Sequence, residues 1–160
     1  MFLLLPCCIY DNIKYTKEKR MSQVLKKAIS IARSMDETMG AFRMCAIVVD
    51  KRDRIISIGM NSYSKTSPIM AKYAKRAVPI AACMADSDFA RQYVNSSDIQ
   101  KKTFLHAECH ALKQLSKEHK AHKIYIARVN RSGEVGMAAP CPICVAAIKD
   151  YGITAVEHTI

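Results

Sequence analysis

The chain has 160 residues, of which 50% are hydrophobic and 24% are charged. This length and composition are typical of one globular domain and argue against disordered, collagen-like and low-complexity proteins. No apolar run reaches the roughly 18 residues that a membrane-spanning helix requires, so we expect no membrane partner.

The chain is strongly basic, with 25 lysine and arginine residues against 14 acidic residues and a formal net charge of +11. A charge of this size favours an anionic partner, such as a nucleotide, a nucleic acid or an acidic surface. A solvated basic surface without such a partner is the alternative interpretation.

Seven cysteines lie in the chain, and two of them, Cys141 and Cys144, form a C-x-x-C motif. The odd number and the size of the chain favour reduced thiols with a metal-binding or catalytic role over a disulfide framework. The apolar start of the chain, Met1 to Ile9, lacks the basic leader of a secretory signal. We therefore expect a reducing compartment and a cytoplasmic protein.

The first part of the chain predicts an extension, a helix and a β-hairpin. Residues 1–20 are expected to be a mobile basic extension, and residues 21–160 are expected to form a single domain. Apolar residues recur at helical spacing over 21–38, which predicts the first helix. The short apolar runs 43–49 and 55–60 flank a polar turn, so they predict two paired strands.

The segment from about residue 64 to 103 is predicted to be an insertion that follows the hairpin. It contains seven basic residues and three aspartates. A helix is expected to begin at Pro68 and to be interrupted at Pro79, because proline lacks the N–H group that a helix interior uses. A second short helix is expected over 86–94.

The remaining elements alternate between helices and strands. A helix is predicted over 104–116, a strand over 123–129, a loop over 130–140, a helix over 141–151 and a last strand over 153–157. Alternation of this kind indicates an α/β layered domain with parallel neighbouring strands in its later part.

Two short motifs lie where the last two predicted helices begin. His106 and Glu108 form an H-x-E motif, and Pro140, Cys141 and Cys144 form a P-C-x-x-C motif. A helix N-terminus favours thiolates, and an imidazole from a second helix supplies a third metal ligand. Three protein ligands leave one tetrahedral position open for water, which is typical of a catalytic zinc. This pair of motifs is the signature of zinc-dependent nucleobase deaminases.

Glu108 follows His106 by two residues and is therefore free to act as a general acid and base. It can take a proton from the attacking water and pass it to a ring nitrogen and then to the leaving amine. The sequence thus predicts hydrolytic release of ammonia from an amino-substituted pyrimidine or purine. A redox or buried C-x-x-C is one alternative, and a structural zinc with Cys109 or His110 as fourth ligand is another.

Over residues 21–157 the chain resembles the cytidine/deoxycytidylate deaminase superfamily. The resemblance implies a three-layer α/β/α fold around a five-stranded sheet, with one Zn²⁺ per chain bound by His106, Cys141 and Cys144. It implies that Glu108 shuttles protons. The last helix and strand of the usual fold are expected to be absent, so the sheet is expected to be incomplete or to pair with another subunit.

The resemblance also implies the substrate contacts. The N–H group of Ala107 and the carbonyl of Pro140 or of its neighbours are expected to hold the base, and Asn61 is expected to contact base or sugar. The insertion resembles the extended segment of deoxycytidylate deaminases. A 5′-phosphate is expected to contact one of its basic residues, which are Lys65, Lys72, Lys75 and Arg76.

The leading hypothesis is a homo-oligomeric hydrolase acting on a cyclic amidine, which converts deoxycytidylate (dCMP) to dUMP. One alternative is a deaminase of cytosine or adenine within single-stranded DNA, RNA or tRNA, which the charge of +11 favours. The low aromatic content argues against this alternative, because single strands stack on exposed aromatic residues, for which Tyr63, Tyr73 and Tyr93 are the nearest candidates. A catalytically inert zinc module that binds nucleic acid is a third possibility, against which the intact Glu108 argues.

Overall fold

The computed structural model describes residues 14–15, 21–36, 42–83, 104–116 and 120–160. Within these ranges no helix is both long enough and apolar enough to cross a membrane. The helices and strands, in chain order, are β1 (Lys14–Tyr15), α1 (Gln23–Ser34), β2 (Phe42–Val49), β3 (Ile55–Met60), β4 (Ser62–Thr66), α2 (Pro68–Cys83), β5 (Phe104–Leu105), α3 (Ala107–Lys113), β6 (Lys123–Asn130), β7 (Val135–Gly136), α4 (Pro142–Asp150) and β8 (Ala155–His158).

The strands of the described residues form one large sheet and one small sheet. In the large sheet the order is β1-β8-β6-β2-β3, and β7 pairs with β6. The pairs β2–β3 and β2–β6 are antiparallel, whereas β8 is parallel to both β6 and β1. The predicted hairpin and the predicted parallel neighbours are therefore confirmed. The small sheet is the antiparallel pair β4–β5.

Helices cover both faces of the large sheet. Alternating residues of the central strands, such as Ile47 of β2 and Tyr125 of β6, share a core with α1. The residues between them, such as Val48, Ile124 and Ile126, share a second core with α2, α3 and α4. Because side chains of a strand point alternately to opposite faces, the apolar strands build both cores at once. The three-layer α/β/α arrangement is confirmed.

Gly59 of β3 sets the distance between the sheet and α3. A Cβ atom at this position would lie 2.2 Å from the carbonyl oxygen of Ala107 and 2.2 Å from the backbone nitrogen of Ala111. Only glycine permits backbones to approach so closely. The helix that carries the H-x-E motif therefore rests directly on the β3 backbone.

The prediction of one helix over 104–116 is partly wrong. Phe104 and Leu105 form β5, which pairs with Ser62 and Thr66 of β4, and the helix begins only at Ala107. The backbone is extended up to His106 because its hydrogen-bonding partner is a strand that lies far away in the sequence.

The predicted interruption of a helix at Pro79 is also wrong, since α2 continues to Cys83. The cost of an interior proline, about 3 kcal/mol, is offset by the packing of the helix, in which Met70, Tyr73 and Ala77 are buried. The short helix predicted over 86–94 lies outside the described residues. A short strand, β7, lies within the predicted loop 130–140.

Two residues of the predicted mobile extension belong to the sheet. Lys14 and Tyr15 pair with Ala155 and Val156 of β8, and the Lys14 N–H donates to the carbonyl of Thr154 at 3.0 Å. This pairing adds a two-residue strand to the edge of the sheet beside β8. The other residues of the predicted extension lie outside the described residues, so its mobility stays a prediction.

Candidate metal and active site

The two sequence motifs lie at the N-termini of α3 and α4. His106 is the N-cap of α3 and Cys141 is the N-cap of α4, and both have extended backbones. Pro142 follows in the first turn of α4, where its missing N–H group has no cost. The side chains of both N-cap residues thus lie where the two helix ends meet, and both belong to a group of potential metal ligands.

Three metal-binding atoms converge between these helices. His106 Nδ1 lies 3.3 Å from Cys144 Sγ and 3.4 Å from Cys141 Sγ. The three donor atoms all lie within 4.8 Å of one another. Ligands about 2.0–2.3 Å from one zinc ion lie roughly 3.5 Å apart in a tetrahedral site. The donor set of one imidazole and two thiols therefore fits Zn²⁺ in both chemistry and spacing.

The two thiols of the site have different acidities. Cys141 accepts a hydrogen bond from Cys144, which holds the pKa of Cys141 well below its usual range, and the nearby His106 lowers this pKa further. Burial raises the pKa of Cys144 well above its usual range, as do its hydrogen bonds to Cys109 and Cys141. The site thus already stabilises one thiolate, which is the form that binds a metal.

Glu108 is buried beside the metal-binding atoms and is only 2% exposed. Burial raises the pKa of its carboxyl group above the usual range, and the neighbouring His106 partly opposes this. Among the described residues no group hydrogen-bonds to Glu108 Oε2. A buried carboxyl oxygen without a partner is costly, so it indicates a place for a ligand. Glu108 can hold a proton and transfer it there.

His106, Glu108 and Cys141 line a cavity of about 130 Å³. An engineered protein cavity of ~150 Å³ binds benzene, so this cavity accommodates one six-membered ring. Asn61 lines the same cavity. The structure thus brings four of the sequence-predicted site residues together around one space, and Cys144 contacts one of them, His106.

Asn61 is buried and holds β2 with its side chain. Its Oδ1 accepts a hydrogen bond from the Met44 N–H at 2.7 Å, and its Nδ2 donates to the Phe42 carbonyl at 3.0 Å. One N–H of the amide and one lone pair of Oδ1 are left for a ligand. Asn61 therefore has a structural role in addition to its position at the cavity.

Ala107 and Pro140 are adjacent to metal-binding residues. Ala107 is the first residue of α3, so its N–H has no acceptor within the helix. Pro140 is buried and precedes Cys141, and its neighbours Ala138 and Ala139 line the cavity.

Lys65 does not line the cavity. It lines a neighbouring depression, which shares Asn61 with the cavity and also includes Ser64 and Lys113. Tyr63, two residues earlier in β4, does line the cavity, and regular alternation would place Lys65 on the same face. The register of β4 is irregular between Ser62 and Thr66, so this alternation is broken.

Two other basic residues of the insertion form ion pairs outside the cavity. Lys72 and Arg76 of α2 each form an ion pair with Asp150 of α4, with N–O distances of 3.0 Å. The phosphate contact expected in this segment is therefore not supported by Lys72 or Arg76. Lys75 is exposed on the same helix.

A structural zinc with a fourth protein ligand does not agree with the described residues, in which only three donors converge. His110 Nδ1 contacts the backbone of Met60. Cys109 is buried against Cys144 but is not part of the converging set. Three converging donors would leave a fourth position open, as in catalytic zinc sites.

The cavity also contains residues that the sequence did not indicate. Phe42 and Arg128 belong to the strands β2 and β6, Phe104 to β5, and Met137 to the loop after β7. One signal was available for Arg128, which continues the alternation of Ile124 and Ile126 with a charged residue. The others are brought to the cavity by strand pairing that no local pattern reveals.

Comparison with known proteins identifies one family. Residues 18–159 match the family model described as the cytidine and deoxycytidylate deaminase zinc-binding region. No curated protein and no solved structure matches the chain significantly. The match covers nearly the whole chain and includes both motifs that form the His106–Cys141–Cys144 cluster. The chain therefore belongs to the family of zinc-dependent cytidine and deoxycytidylate deaminases.

Proposed function

We propose that the protein is a hydrolase that converts dCMP to dUMP with release of ammonia. One observation carries this proposal. The buried, unsatisfied oxygen of Glu108 lies beside the His106–Cys141–Cys144 cluster in a cavity the size of one six-membered ring. A pyrimidine ring fits such a space.

In the proposed reaction, His106, Cys141 and Cys144 hold Zn²⁺, which when bound supplies a Lewis acid that activates water at neutral pH. Glu108 Oε2 accepts a proton from the attacking water and delivers it to N3 of cytosine. After the C4–O bond has formed, Glu108 accepts a second proton from the new C4 hydroxyl group and transfers it to the exocyclic amino group. The C4–N bond then breaks, ammonia leaves, and the uracil carbonyl remains. The raised pKa of Glu108 suits a group that must both accept and donate protons.

The cytosine ring is oriented by three groups in this proposal. The Ala107 N–H at the start of α3 donates to the base, and the Pro140 carbonyl accepts from its amino group. Asn61 uses the amide N–H that is left after its contacts to β2. All three groups are attached to backbone that the strands and helix ends hold in place, so the ring needs little reorganisation to react.

Deamination of cytosine within a single-stranded nucleic acid is a second candidate. Tyr63 lines the cavity, is 43% exposed and stacks on Phe104 with 5.2 Å between the ring centroids. Exposed aromatic rings beside a basic surface bind the flanking bases of single strands. The net charge of +11 supports the same interpretation.

The test is ammonia release by the zinc-loaded protein from dCMP, CMP, deoxycytidine, guanine, a single-stranded DNA and a tRNA. A sample stripped of zinc with a chelator is the control. Turnover of dCMP that the chelator abolishes supports the proposal. Turnover of the polymers alone supports the second candidate. No turnover of any cytosine compound by protein with one zinc per chain overturns both.

A further inference from the structure

Arg128 occupies a position on β6 that the rest of the strand fills with apolar core residues. Ile124, Ile126 and Arg128 alternate along the strand and face the helices α2, α3 and α4, where Ile124 and Ile126 are fully buried. Arg128 pairs with Met44 of β2, another residue that lines the cavity. Unlike Ile124 and Ile126, Arg128 is only half-buried, so part of its side chain is accessible to a ligand.

The guanidinium group of Arg128 is held in one direction. It lies over the ring of Phe42, 3.6 Å from the centroid, and its Nη1 donates to the Met137 carbonyl at 3.3 Å. Both neighbours line the cavity. Within the described part of the chain, no carboxylate pairs with Arg128. An arginine has five N–H donors, so most of them are left for another acceptor.

Arg128 is the one lysine or arginine that lines the cavity within the described residues. Lys65 lines the neighbouring depression rather than the cavity, and Lys72 and Arg76 are paired with Asp150. The cavity thus combines three features, which are a space the size of a base, the carboxyl group of Glu108, and the Arg128 cation, which lacks a counter-ion. A planar guanidinium fork binds phosphate with two parallel hydrogen bonds.

We propose that Arg128 binds the phosphate attached to the nucleoside whose base enters the cavity, so that the protein selects a nucleotide over a free base or nucleoside. This inference rests on the proposed deaminase function. The same phosphate chemistry is offered by the 5′-monophosphate of a free nucleotide and by the phosphodiester of a single strand, and the experiment separates these sources.

The experiment compares kcat/KM for dCMP with kcat/KM for deoxycytidine, which lacks the phosphate. In Arg128→Met this ratio is expected to fall roughly 10- to 100-fold, mostly through KM for dCMP, as loss of hydrogen bonds to a charged group predicts. Arg128→Lys keeps the positive charge but lacks the planar guanidinium group. Its ratio should therefore lie between that of the wild type and that of Arg128→Met. Arg131→Met is the matched control, since Arg131 is exposed in the same hairpin and does not line the cavity. Its ratio should equal that of the wild type.

A binding measurement separates this proposal from the function on which it rests. Calorimetry with the products dUMP and deoxyuridine needs no turnover, and the wild type should bind dUMP more tightly than Arg128→Met does. If no compound is deaminated but this difference is found, the function fails and the phosphate site stands. If dCMP is deaminated and Arg128→Met keeps both the wild-type ratio and the wild-type affinity for dUMP, the phosphate site is overturned and the function stands.

A short single-stranded oligonucleotide with one cytosine distinguishes the source of the phosphate. An Arg128→Met effect on dCMP assigns the site to a free monophosphate. An effect on the oligonucleotide alone assigns the site to a phosphodiester, and both results support a phosphate site at Arg128. Lack of an effect on both substrates overturns it.

Discussion

The buried cysteines show how the surroundings of a side chain determine the pKa of its thiol group. Burial raises the pKa of the Cys45 thiol to about 12, so Cys45 stays protonated and inert in the sheet. Cys141 is equally buried, yet its pKa lies well below the usual range because it accepts a hydrogen bond from Cys144 and lies near His106. The same side chain is thus a core residue at one position and a metal ligand at another.

The first prediction concerns the C-x-x-C thiols. In Cys144→Ala the cluster loses one of its three donors, so we expect zinc content to fall well below the one ion per chain predicted for the wild type. Cys109→Ala is the matched control, because Cys109 is buried against Cys144 but does not belong to the converging set. Atomic emission on purified proteins measures the stoichiometry. Full zinc in Cys144→Ala would show that the ion is held elsewhere.

At the scale of elements, the position of α3 depends on Gly59. In Gly59→Ala the new methyl group overlaps the backbones of Ala107 and Ala111, so α3 must move and carry His106 and Glu108 with it. We expect a loss of roughly 1–3 kcal/mol in the free energy of unfolding and a fall in deaminase activity.

Gly136→Ala is the control for this substitution. Its added methyl group would meet no atom within 4 Å, so the change in stability should stay within about 0.5 kcal/mol. Urea unfolding of the three proteins measures the difference. Equal stability of Gly59→Ala and Gly136→Ala would contradict the close contact of α3 with β3.

Asp150 links α4 to α2 through an ion-pair cluster. Hydrogen bonds from Tyr73 and then Lys72, with the charge of Arg76, lower the pKa of its carboxyl group to about 2. The pKa of an unfolded aspartate is about 3.9. The depressed value means that the cluster stabilises the fold above pH ~3.9, and that this stabilisation is lost as the pH falls through about 2.

Asp150→Asn should therefore reduce the free energy of unfolding at pH 7, and its difference from the wild type should shrink below pH 4. Because the Asp150 side chain is 37% exposed, solvent screening limits the expected loss to about 0.2–1 kcal/mol. Urea titrations at several pH values measure this. A difference that grew on acidification would contradict the lowered pKa of Asp150.

Local patterns predicted the metal site and most elements, and they missed what depends on distant pairing. The H-x-E and P-C-x-x-C spacings placed His106 and Cys141 at helix starts without any knowledge of the fold. The strand Phe104–Leu105 could not be recognised, because its partner β4 lies across the insertion. Lys65 was expected near the phosphate because sequence shows charge but not the register of β4.

At the scale of the whole molecule, two residues of the N-terminal segment extend the edge of the sheet. Lys14 and Tyr15 pair with β8. Deletion of residues 1–20 is expected to lower the free energy of unfolding by roughly 1 kcal/mol, since a backbone hydrogen bond contributes about that much. Thermal and urea unfolding compare the stability of the full chain with that of the shortened chain. Equal stability would mean that the segment is the mobile extension that the sequence predicted.

A net charge of +11 is expected to attract anions to the protein as a whole. We expect the KM for a nucleotide to rise with salt concentration, because screening weakens this attraction. Assembly into a homo-oligomer, which the family resemblance implies, stays a prediction that light scattering tests.

The central claim is that a zinc site and Glu108 act together, and Glu108→Gln tests it most directly. Zinc content and ammonia release from dCMP are measured on the same sample, beside Glu134→Gln, a change at an exposed glutamate. The account predicts one zinc per chain in all three proteins and a fall in kcat of about 10²–10⁴-fold in Glu108→Gln alone. Wild-type turnover by zinc-loaded Glu108→Gln would contradict it.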